Sequence, residues 1–331
     1  MSEPMRAQRI VVTQRMFDAE ALRHLREQGF EVLVSEPPAG CSEADWSEDE
    51  LVERLRGAAG WIVGHAHVTR SLLERLPGLE AISRRGVGYE RVDLRAVREL
   101  GRVATIAAGG NDASVADHAV GLMLALSHRI VESHASMRVG RRAILTGSDL
   151  YRKTVGIVGL GRIGREVARR LGGFDVELLV HTPRPWAEAA NLRFTDLDIL
   201  LARSDFVTLH LPLTPATEGI IDAAALARMK PTAYLINTAR GGLVNDADLL
   251  DALRRGVVAG AGLDVFMSEN DPGCAGVTQQ LLELPNVVGT PHAAGSTTEA
   301  LARTNHLAAR NVAAALHRAP IPEACLLADG R

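Results

Sequence analysis

Aromatic residues, cysteines and excess charge of either sign are all scarce in this sequence. Aromatic side chains make up 4% of the 331 residues, so the hydrophobic cores must depend mainly on Ala, Val, Leu and Ile. The formal net charge is −3, which argues against a general nucleic-acid-binding surface. The cysteines Cys41, Cys274 and Cys325 are far apart and odd in number. Their spacing predicts neither a bound metal nor a disulfide framework and favours a reducing cytoplasm.

Long hydrophobic runs are also missing. The densest apolar stretch, residues 119–126, is far too short to span a bilayer. The first residues show no basic segment followed by an apolar one, so no secretory signal is predicted. We therefore expect a soluble protein without a membrane partner, and its length favours two domains over one.

Short apolar runs alternate with helical patterns along almost the whole chain. Strands are predicted at residues 9–13, 30–34, 60–63, 80–83 and 103–106, and in a second series at 155–158, 177–181, 206–209, 233–237, 260–264 and 287–288. Such alternation is typical of α/β folds, in which parallel strands carry helices on the faces of the sheet. One long helix is predicted over residues 113–138 and a last one over 297–318, followed by an irregular tail.

The segment TVGIVGLGRIGREVARRL, residues 154–171, places a glycine-rich turn between a predicted strand and a predicted helix. Gly159 permits the tight turn, Gly161 lets the backbone approach a pyrophosphate, and Gly164 lets the helix pack closely on the strand. The amides at the helix N-terminus then face the anion. A GxGxxG motif alone is weak evidence, but in this context it predicts a dinucleotide site.

The choice between NAD and NADP depends on the residues that follow the next strand. An Asp or Glu at that strand tip would bind the adenosine ribose hydroxyls and favour NAD, but the chain continues HTPR. Thr182 is neutral, and Arg184 could pair with a 2′-phosphate, which favours NADP. The alternative is that Arg184 is a solvated loop charge, so NAD stays open.

Three polar side chains follow predicted strands in the second half of the chain. Arg240 follows AYLINTA, Glu269 follows AGLDVF, and His292 follows NVVGTP. Ligands of doubly wound sheets bind outside the carboxyl ends of the strands, so we expect these groups to face the dinucleotide side. Reduction of a 2-keto acid needs a proton donor, which the imidazole supplies, and a cation for the carboxylate, which the guanidinium supplies. The carboxylate of Glu269 would orient and favour the protonated imidazole.

Seven stretches follow one another in an order and spacing that belong to one family. They read RRGVGYERVDL (84–94), SVADHAVGLMLAL (114–126), GLGRIG (159–164), HLPLTPAT (210–217), INTARGGLV (236–244), AGLDVF (261–266) and TPHAAGST (290–297). Together they resemble the D-isomer-specific 2-hydroxyacid dehydrogenase family over nearly the whole chain. Asn270 departs from the pattern, because the family usually has Pro after the catalytic Glu.

The resemblance implies two Rossmann-like, doubly wound parallel-sheet domains. A dinucleotide-binding domain, residues 104–292, would be inserted into a flavodoxin-like substrate domain, residues 1–103 and 293–331. The resemblance also implies a homodimer that forms through the long helix and its surroundings.

The same resemblance assigns roles to individual residues. His292 would be the acid/base, Glu269 its partner, and Arg240 the group that binds the carboxylate and polarises the carbonyl. The substrate would also meet Arg84, Arg85 and the backbone at Val87 and Gly88. Besides the three glycines, Thr182 and Arg184, the expected cofactor contacts are Val115, Arg162, Ile163, Leu211, Pro212, Thr217, Thr238, Ala239 and Asp264.

The substrate and even catalysis remain open at the level of sequence. Arg84 and Arg85 could bind the phosphate of a 3-phosphoglycerate-like substrate, or they could pair with Glu90 or Asp93 or be solvated. Glyoxylate or hydroxypyruvate would suit NADP. A dinucleotide-sensing, non-catalytic interaction protein resembling the corepressors of this family is the alternative to an enzyme.

Overall fold

The computed structural model describes residues 7–183 and 192–331. Contacts among them divide the chain into two compact units, Met1–Asn111 with Thr297–Arg331 (unit 1) and Asp112–Ser296 (unit 2). The sequence placed these boundaries at 103/104 and 292/293. The first boundary lies instead after Asn111, because the strand Val103–Ile106 is hydrogen-bonded within the sheet of unit 1.

Thirteen strands and twelve α-helices make up the described residues. Up to the end of the first sheet they are β1 (Arg9–Val12), α1 (Ala19–Glu27), β2 (Glu31–Val34), α2 (Glu48–Arg54), β3 (Ala58–Val63), α3 (Arg70–Glu74), β4 (Ala81–Arg84), α4 (Leu94–Glu99) and β5 (Val103–Ile106). Unit 2 adds α5 (Asp112–Ser127), α6 (Ile130–Arg138), β6 (Thr154–Val158), α7 (Arg162–Leu171), β7 (Glu177–His181), β8 (Leu192–Phe194), α8 (Leu197–Arg203), β9 (Phe206–Leu209), α9 (Ala223–Arg228), β10 (Tyr234–Asn237), α10 (Asp246–Arg254), β11 (Gly260–Leu263), α11 (Ala275–Leu282) and β12 (Val287–Gly289). The chain then returns to unit 1 with α12 (Thr298–Leu316) and β13 (Leu326–Asp329).

Each unit is built on one sheet with helices on its faces. The sheet of unit 1 has the order β13-β5-β4-β3-β1-β2, and that of unit 2 has the order β12-β11-β10-β9-β6-β7-β8. All described strand pairs are parallel except β13 with β5. The predicted pair of Rossmann-like domains, one inserted into the other, is confirmed.

Apolar side chains cover both faces of the unit 2 sheet. Leu209, Leu235 and Leu263 belong to the core on one face, while Ile157 and Phe206 belong to the core on the other. Strands buried on both faces read as continuous apolar runs, which is why the sequence showed them clearly. The same packing holds the carboxyl ends of these strands rigidly in place.

The predicted long helix over residues 113–138 is wrong, because it is two helices. Helix α5 ends at Ser127, whose carbonyl accepts the amide of Ser148 (2.8 Å) from a later segment. Arg129 takes a left-handed conformation with φ of 52°, and α6 begins after it. The break therefore depends on a contact twenty residues away along the chain.

The expected irregular tail is also wrong. Residues Leu326–Asp329 form β13, which pairs antiparallel with β5 and buries Ala328. A strand of four residues at a sheet edge is too short to show a strand pattern in the sequence. β13 forms because β5 offers it an edge with unpaired backbone groups.

Among residues 7–183 and 192–331, no helix combines the length and the apolarity needed to cross a membrane. In the same ranges, no three His, Cys, Asp or Glu side chains are grouped so as to hold a metal ion.

Candidate active site

The strand order of unit 2 reverses between β6 and β9. From β6 the chain adds β7 and β8 on one side, then crosses to β9 on the other side and continues to β12. Such a reversal opens a crevice at the carboxyl ends of the two strands, where the connecting loops diverge. The glycine turn follows β6 and His210 follows β9, so both lie at this point.

The glycine turn is closely packed on its inner side and open on its outer side. Gly159 has φ of 98°, and a Cβ there would lie 2.5 Å from the carbonyl oxygen of His210. A Cβ at Gly164 would lie 2.2 Å from the carbonyl oxygen of Gly159, whereas one at Gly161 would meet nothing within 4 Å. Gly161 is the N-cap of α7 and gives no side-chain hydrogen bond to the helix amides. These amides can therefore receive an anion.

Other predicted cofactor residues surround this turn. Arg162 begins α7 and pairs with Asp112 (3.3 Å), and Ile163 packs on the core beside it. Thr182 follows β7, while Arg184 lies outside the described residues.

The loop after β9 is closed by its own side chains. Leu211 and Pro212 follow His210, and the hydroxyl of Thr217 donates to the carbonyl of Pro212 (2.7 Å). The hydroxyl oxygen of Thr217 also accepts the amide of Thr214 (2.8 Å). The hydroxyl of Thr217 thus shapes this loop.

His292 and Glu269 form a hydrogen-bonded pair. Nδ1 of His292 lies 2.6 Å from Oε2 of Glu269, and the two side chains are 42% and 32% exposed. The other carboxylate oxygen, Oε1, accepts the amide of Phe266 (2.9 Å). Glu269 is thus held at one end by its own 3-10 turn and at the other by the imidazole, which fixes the ring orientation.

The loop that carries His292 is held by Asp264, which is fully buried. Its carboxylate accepts the hydroxyl of Thr290 (2.5 Å) and the amides of Ala293 (2.8 Å) and Ala294 (3.0 Å). The amide of His292 donates to the carbonyl of Asp264 (2.8 Å), and His292 has a left-handed φ of 53°. The hydrogen bonds stabilise a backbone conformation that a histidine adopts only at some cost.

Arg240 lies on a loop that is braced from both sides. The side chain of Asn237 accepts the amide of Ala239 (3.1 Å) and donates to the carbonyl of Arg240 (2.9 Å). A Cβ at Gly241 would lie 2.0 Å from the carbonyl oxygen of Phe266, so this loop touches the turn that carries Glu269. Parallel pairing of β10, β11 and β12 sets the loops after these strands at one edge of the sheet.

Three predicted cofactor contacts, Thr238, Ala239 and Val115, also belong to unit 2. Thr238 is 6% exposed and its hydroxyl finds no partner among the described residues, and Ala239 follows it. Val115 is buried on α5. The glycine turn, the open N-terminus of α7 and the unpartnered hydroxyl of Thr238 together fit a dinucleotide at this edge.

The predicted substrate residues lie in unit 1, at the end of β4 (Arg84) and directly after it (Arg85, Val87 and Gly88). Nη1 of Arg84 donates to the carbonyl of Arg85 (2.8 Å). Nη1 of Arg85 donates to the carbonyl of Arg15 (2.8 Å) and to Oδ1 of Asn305 (3.3 Å). Both arginines therefore make contacts within their own unit.

Several residues of the site had no assignment from sequence. Nε2 of His118 on α5 lies 2.9 Å from the hydroxyl of Thr290 and 3.6 Å from Asp264. Nε2 of His210 lies 2.9 Å from the hydroxyl of Thr208, and burial lowers the pKa of His210 to about 3. Its position directly after a strand could have marked His210 as a site residue from sequence. The contact between His118 and Thr290 could not be predicted, because it joins segments far apart in the chain.

The sequence matches the model of one known protein family. Residues 120–294 match the family described as "D-isomer specific 2-hydroxyacid dehydrogenase, NAD binding domain". This is more than half of the chain, so the chain belongs to the D-isomer specific 2-hydroxyacid dehydrogenase family.

Individual relatives carry different names within this family. The chain is 40% identical to a glyoxylate reductase of Thermofilum pendens, over 82% of this chain and 83% of the relative. It is 42% identical to a D-3-phosphoglycerate dehydrogenase of Mycobacterium leprae, over 78% of this chain but only 49% of the relative. The chain thus spans about half the length of that phosphoglycerate dehydrogenase.

Among solved structures, an NADPH-dependent glyoxylate/hydroxypyruvate reductase of Sinorhizobium meliloti in complex with NADP and malonate is similar over the whole fold. The TM-score is 0.82 with 30% identity, covering 98% of each chain.

Proposed function

We propose that this protein is an NAD(P)-dependent dehydrogenase that transfers a hydride between nicotinamide and C2 of a small 2-hydroxy or 2-keto acid. The observation that carries the proposal is the pair of His292 and Glu269, 2.6 Å apart. The pair lies on the sheet edge that also carries Arg240 and the glycine turn. Family membership supports the reaction class.

In reduction, His292 acts as the acid. Glu269 holds Nδ1, so we assign proton transfer to Nε2, which gives its proton to the carbonyl oxygen at C2. Glu269 stabilises the imidazolium before transfer and keeps the ring aimed. Arg240 binds the substrate carboxylate and polarises the carbonyl, because its guanidinium presents paired donors. In oxidation the same groups act in reverse.

The dinucleotide would be held by the turn from Gly159 to Gly164 and by the edge residues Thr238 and Ala239. When bound, it supplies or accepts the hydride at C2. No carboxylate occupies positions 181–183, at the end of β7 and just after it, so the tip of this strand offers no acidic partner of the kind that favours NAD. We therefore propose NADPH as the preferred reductant, with Arg184 as the partner of its 2′-phosphate.

Unit 1 contacts argue for a substrate without a phosphate. Arg85 is already bound to Arg15 and Asn305. The amides of Gly64 (2.5 Å), His65 and Ala66 (3.1 Å), at the carboxyl end of β3, all donate to Oε1 of the buried Glu43. The protein's own carboxylate thus fills the backbone cradle that would suit an anion. We propose glyoxylate or hydroxypyruvate as substrate, with the backbone at Val87 and Gly88 binding its carboxylate.

A second copy of the chain is the proposed partner. Helix α6 buries none of its residues, and the apolar side chains of Ile130, Met137 and Val139 are 54%, 56% and 70% exposed. Ile144 in the following segment is 96% exposed. Clustered exposure of this kind marks an interaction surface, and a homodimer would bury it.

The test is oxidation of NADPH and of NADH with glyoxylate, hydroxypyruvate and 3-phosphohydroxypyruvate, each pair run separately. We expect the kcat/KM of NADPH with glyoxylate or hydroxypyruvate to exceed that of every other combination of cofactor and acid by about tenfold or more. The reason is that NADH lacks the 2′-phosphate that Arg184 would bind, and the phosphate of 3-phosphohydroxypyruvate would find no cation, and a lost charge interaction costs at least this much. His292→Gln and Arg240→Lys are expected to lose about 100-fold or more in kcat while binding NADPH normally.

Matched controls are His306→Gln on the surface of α12 and Arg254→Lys, whose guanidinium contacts Gln280 on α11 (2.9 Å). Both should retain full turnover. Wild-type protein that binds NADPH but reduces none of these acids would favour the non-catalytic alternative. Unchanged turnover in both site variants would contradict the assigned roles.

A further inference from the structure

The turn that presents Glu269 is tied to the rest of unit 2 through a second carboxylate. The 3-10 turn Met267–Glu269 begins with an amide that donates to Oδ2 of Asp246 (2.9 Å). Asp246 is the first residue of α10 and is 3% exposed. One buried carboxylate therefore holds the first residue of the turn, while the third residue holds the imidazole of His292.

Glu269 reaches His292 only if the turn is correctly placed. One of its oxygens reaches back to the amide of Phe266 (2.9 Å) and the other reaches forward to His292 (2.6 Å), so the carboxylate bridges two fixed points. The hydroxyl of Thr278 on α11 adds a bond to Ser268 (2.9 Å) in the middle of the turn. A displacement at Met267 would therefore pass directly to the atom that orients the imidazole.

A purely structural anchor would not need a charge at this position. Burial raises the pKa of Asp246 and the nearby charge of Glu269 raises it further, while the bond from Met267 opposes the rise. An asparagine would offer the same acceptor to the Met267 amide with a smaller desolvation cost. In its carboxylate form, unlike an asparagine, Asp246 places negative charge behind Glu269, where that charge favours a protonated imidazole.

We propose that Asp246 is a positioning residue for the acid–base pair, holding the Glu269 turn through the Met267 amide and adding negative charge behind it. The proposal rests on the proposed function for its catalytic consequence. Asp246 has no contact with substrate in this scheme and acts through Glu269 on His292.

Other titratable groups near Asp246, among the residues that the structure describes, belong to the two 3-10 turns beside it. Glu269 faces Asp246 from the turn and is hydrogen-bonded to His292. Cys274 belongs to the next 3-10 turn, and Asp271 is the N-cap of that turn. Burial raises the pKa of the Cys274 thiol, with Asp271 and then Asp246 adding to the rise.

On the helix that carries Asp246, Asp248 serves as a matched control. It lies two residues further along α10, and its carboxylate also accepts a backbone amide, that of Ala223 (3.0 Å). Arg240 lies on the connection that leads into α10.

The experiment compares Asp246→Asn, Asp246→Ala and Asp246→Glu with Asp248→Asn and Asp248→Ala in the full chain. The readouts are kcat and KM of keto-acid reduction from about pH 5.5 to pH 9, and the dissociation constant of NADPH. A third readout is the ¹³Cε1 signal of His292 against pH in the cofactor-free protein, assigned with His292→Gln.

Asp246→Asn keeps the acceptor and loses the charge. We therefore expect the alkaline limb of its kcat–pH profile, and the midpoint of the His292 titration, to move about half a pH unit or more to lower pH. Asp246→Ala loses the anchor as well, so we expect about a tenfold or larger loss of kcat with little change in KM or NADPH binding. Asp246→Glu keeps a charge that Asp246→Asn lacks, so the alkaline limb of its kcat–pH profile should lie closer to that of the wild type. The Asp248 variants should leave all three readouts unchanged.

The proposal is overturned if folded Asp246 variants keep the wild-type kcat and the wild-type titration of His292. It is also overturned if the Asp248 variants produce the same changes. If wild-type protein reduces no keto acid, the proposed function fails, but the titration of His292 still decides the role of Asp246. If Asp246→Ala does not fold, the Asn and Glu variants carry the same test.

Discussion

Replacing Gly241 by Ala tests whether the Arg240 loop and the Glu269 turn must touch. An added Cβ would lie 2.0 Å from the carbonyl oxygen of Phe266, 2.4 Å from its carbonyl carbon and 3.0 Å from the amide nitrogen of Met267. All three are backbone atoms, which cannot move aside as a flexible side chain can.

The size of the effect follows from the contact distance. Real Cβ atoms essentially never approach closer than 3.0 Å, so the two backbones must separate by at least 3.0 − 2.0 = 1.0 Å. A displacement of about 1 Å in a catalytic group costs on the order of 100-fold in rate, or roughly 2.7 kcal/mol of transition-state stabilisation. Overpacking of this kind also lowers the free energy of unfolding by about 1–3 kcal/mol.

The assay measures kcat/KM for the best keto acid, the dissociation constant of NADPH by fluorescence, and the melting temperature. We expect kcat/KM to fall about 100-fold in Gly241→Ala while NADPH binding changes little, because the glycine turn is on another loop. Gly276→Ala on α11 is the control, since a Cβ there meets nothing within 4 Å. Wild-type kcat/KM and melting temperature in Gly241→Ala would refute the claim that this contact sets the geometry of the site.

Two further predictions concern stability and assembly. Because burial lowers the pKa of His210 to about 3, its folded form resists protonation, and stability is lost as pH falls below the unfolded value of about 6.5. At pH 5 this loss reaches at most about 2 kcal/mol of unfolding free energy. His210→Gln has no imidazole to protonate, so its melting temperature should differ less between pH 8 and pH 5 than that of the wild type. An unchanged difference would exclude a buried neutral imidazole at this position. Val139→Glu with Ile144→Glu should convert a dimer to a monomer in light scattering coupled to gel filtration, because two charges would be buried in the interface. A wild-type monomer, or a double variant that stays dimeric, would exclude this face as the interface.

Most of the architecture could be predicted from residue patterns. Strands such as β9 and β10 are short apolar runs buried on both faces, and that pattern depends little on the rest of the chain. The break at Arg129 and the strand β13 could not be predicted, since each depends on a hydrogen-bond partner distant in sequence. Residues Thr182 and Arg184 show a different limit, because the choice of cofactor depends on the loop conformation after β7.

The sequence by itself determined the order of most elements, the glycine turn, and the chemical identity of the residues that we propose as the acid–base pair and its guanidinium. These are local signals, because backbone freedom and side-chain chemistry belong to single positions. Only the tertiary structure decided how Asp264, Asp246 and Gly241 brace the loops of His292, Glu269 and Arg240. Each brace joins segments more than twenty residues apart in the chain, and parallel strand pairing brings them together at one edge of the sheet.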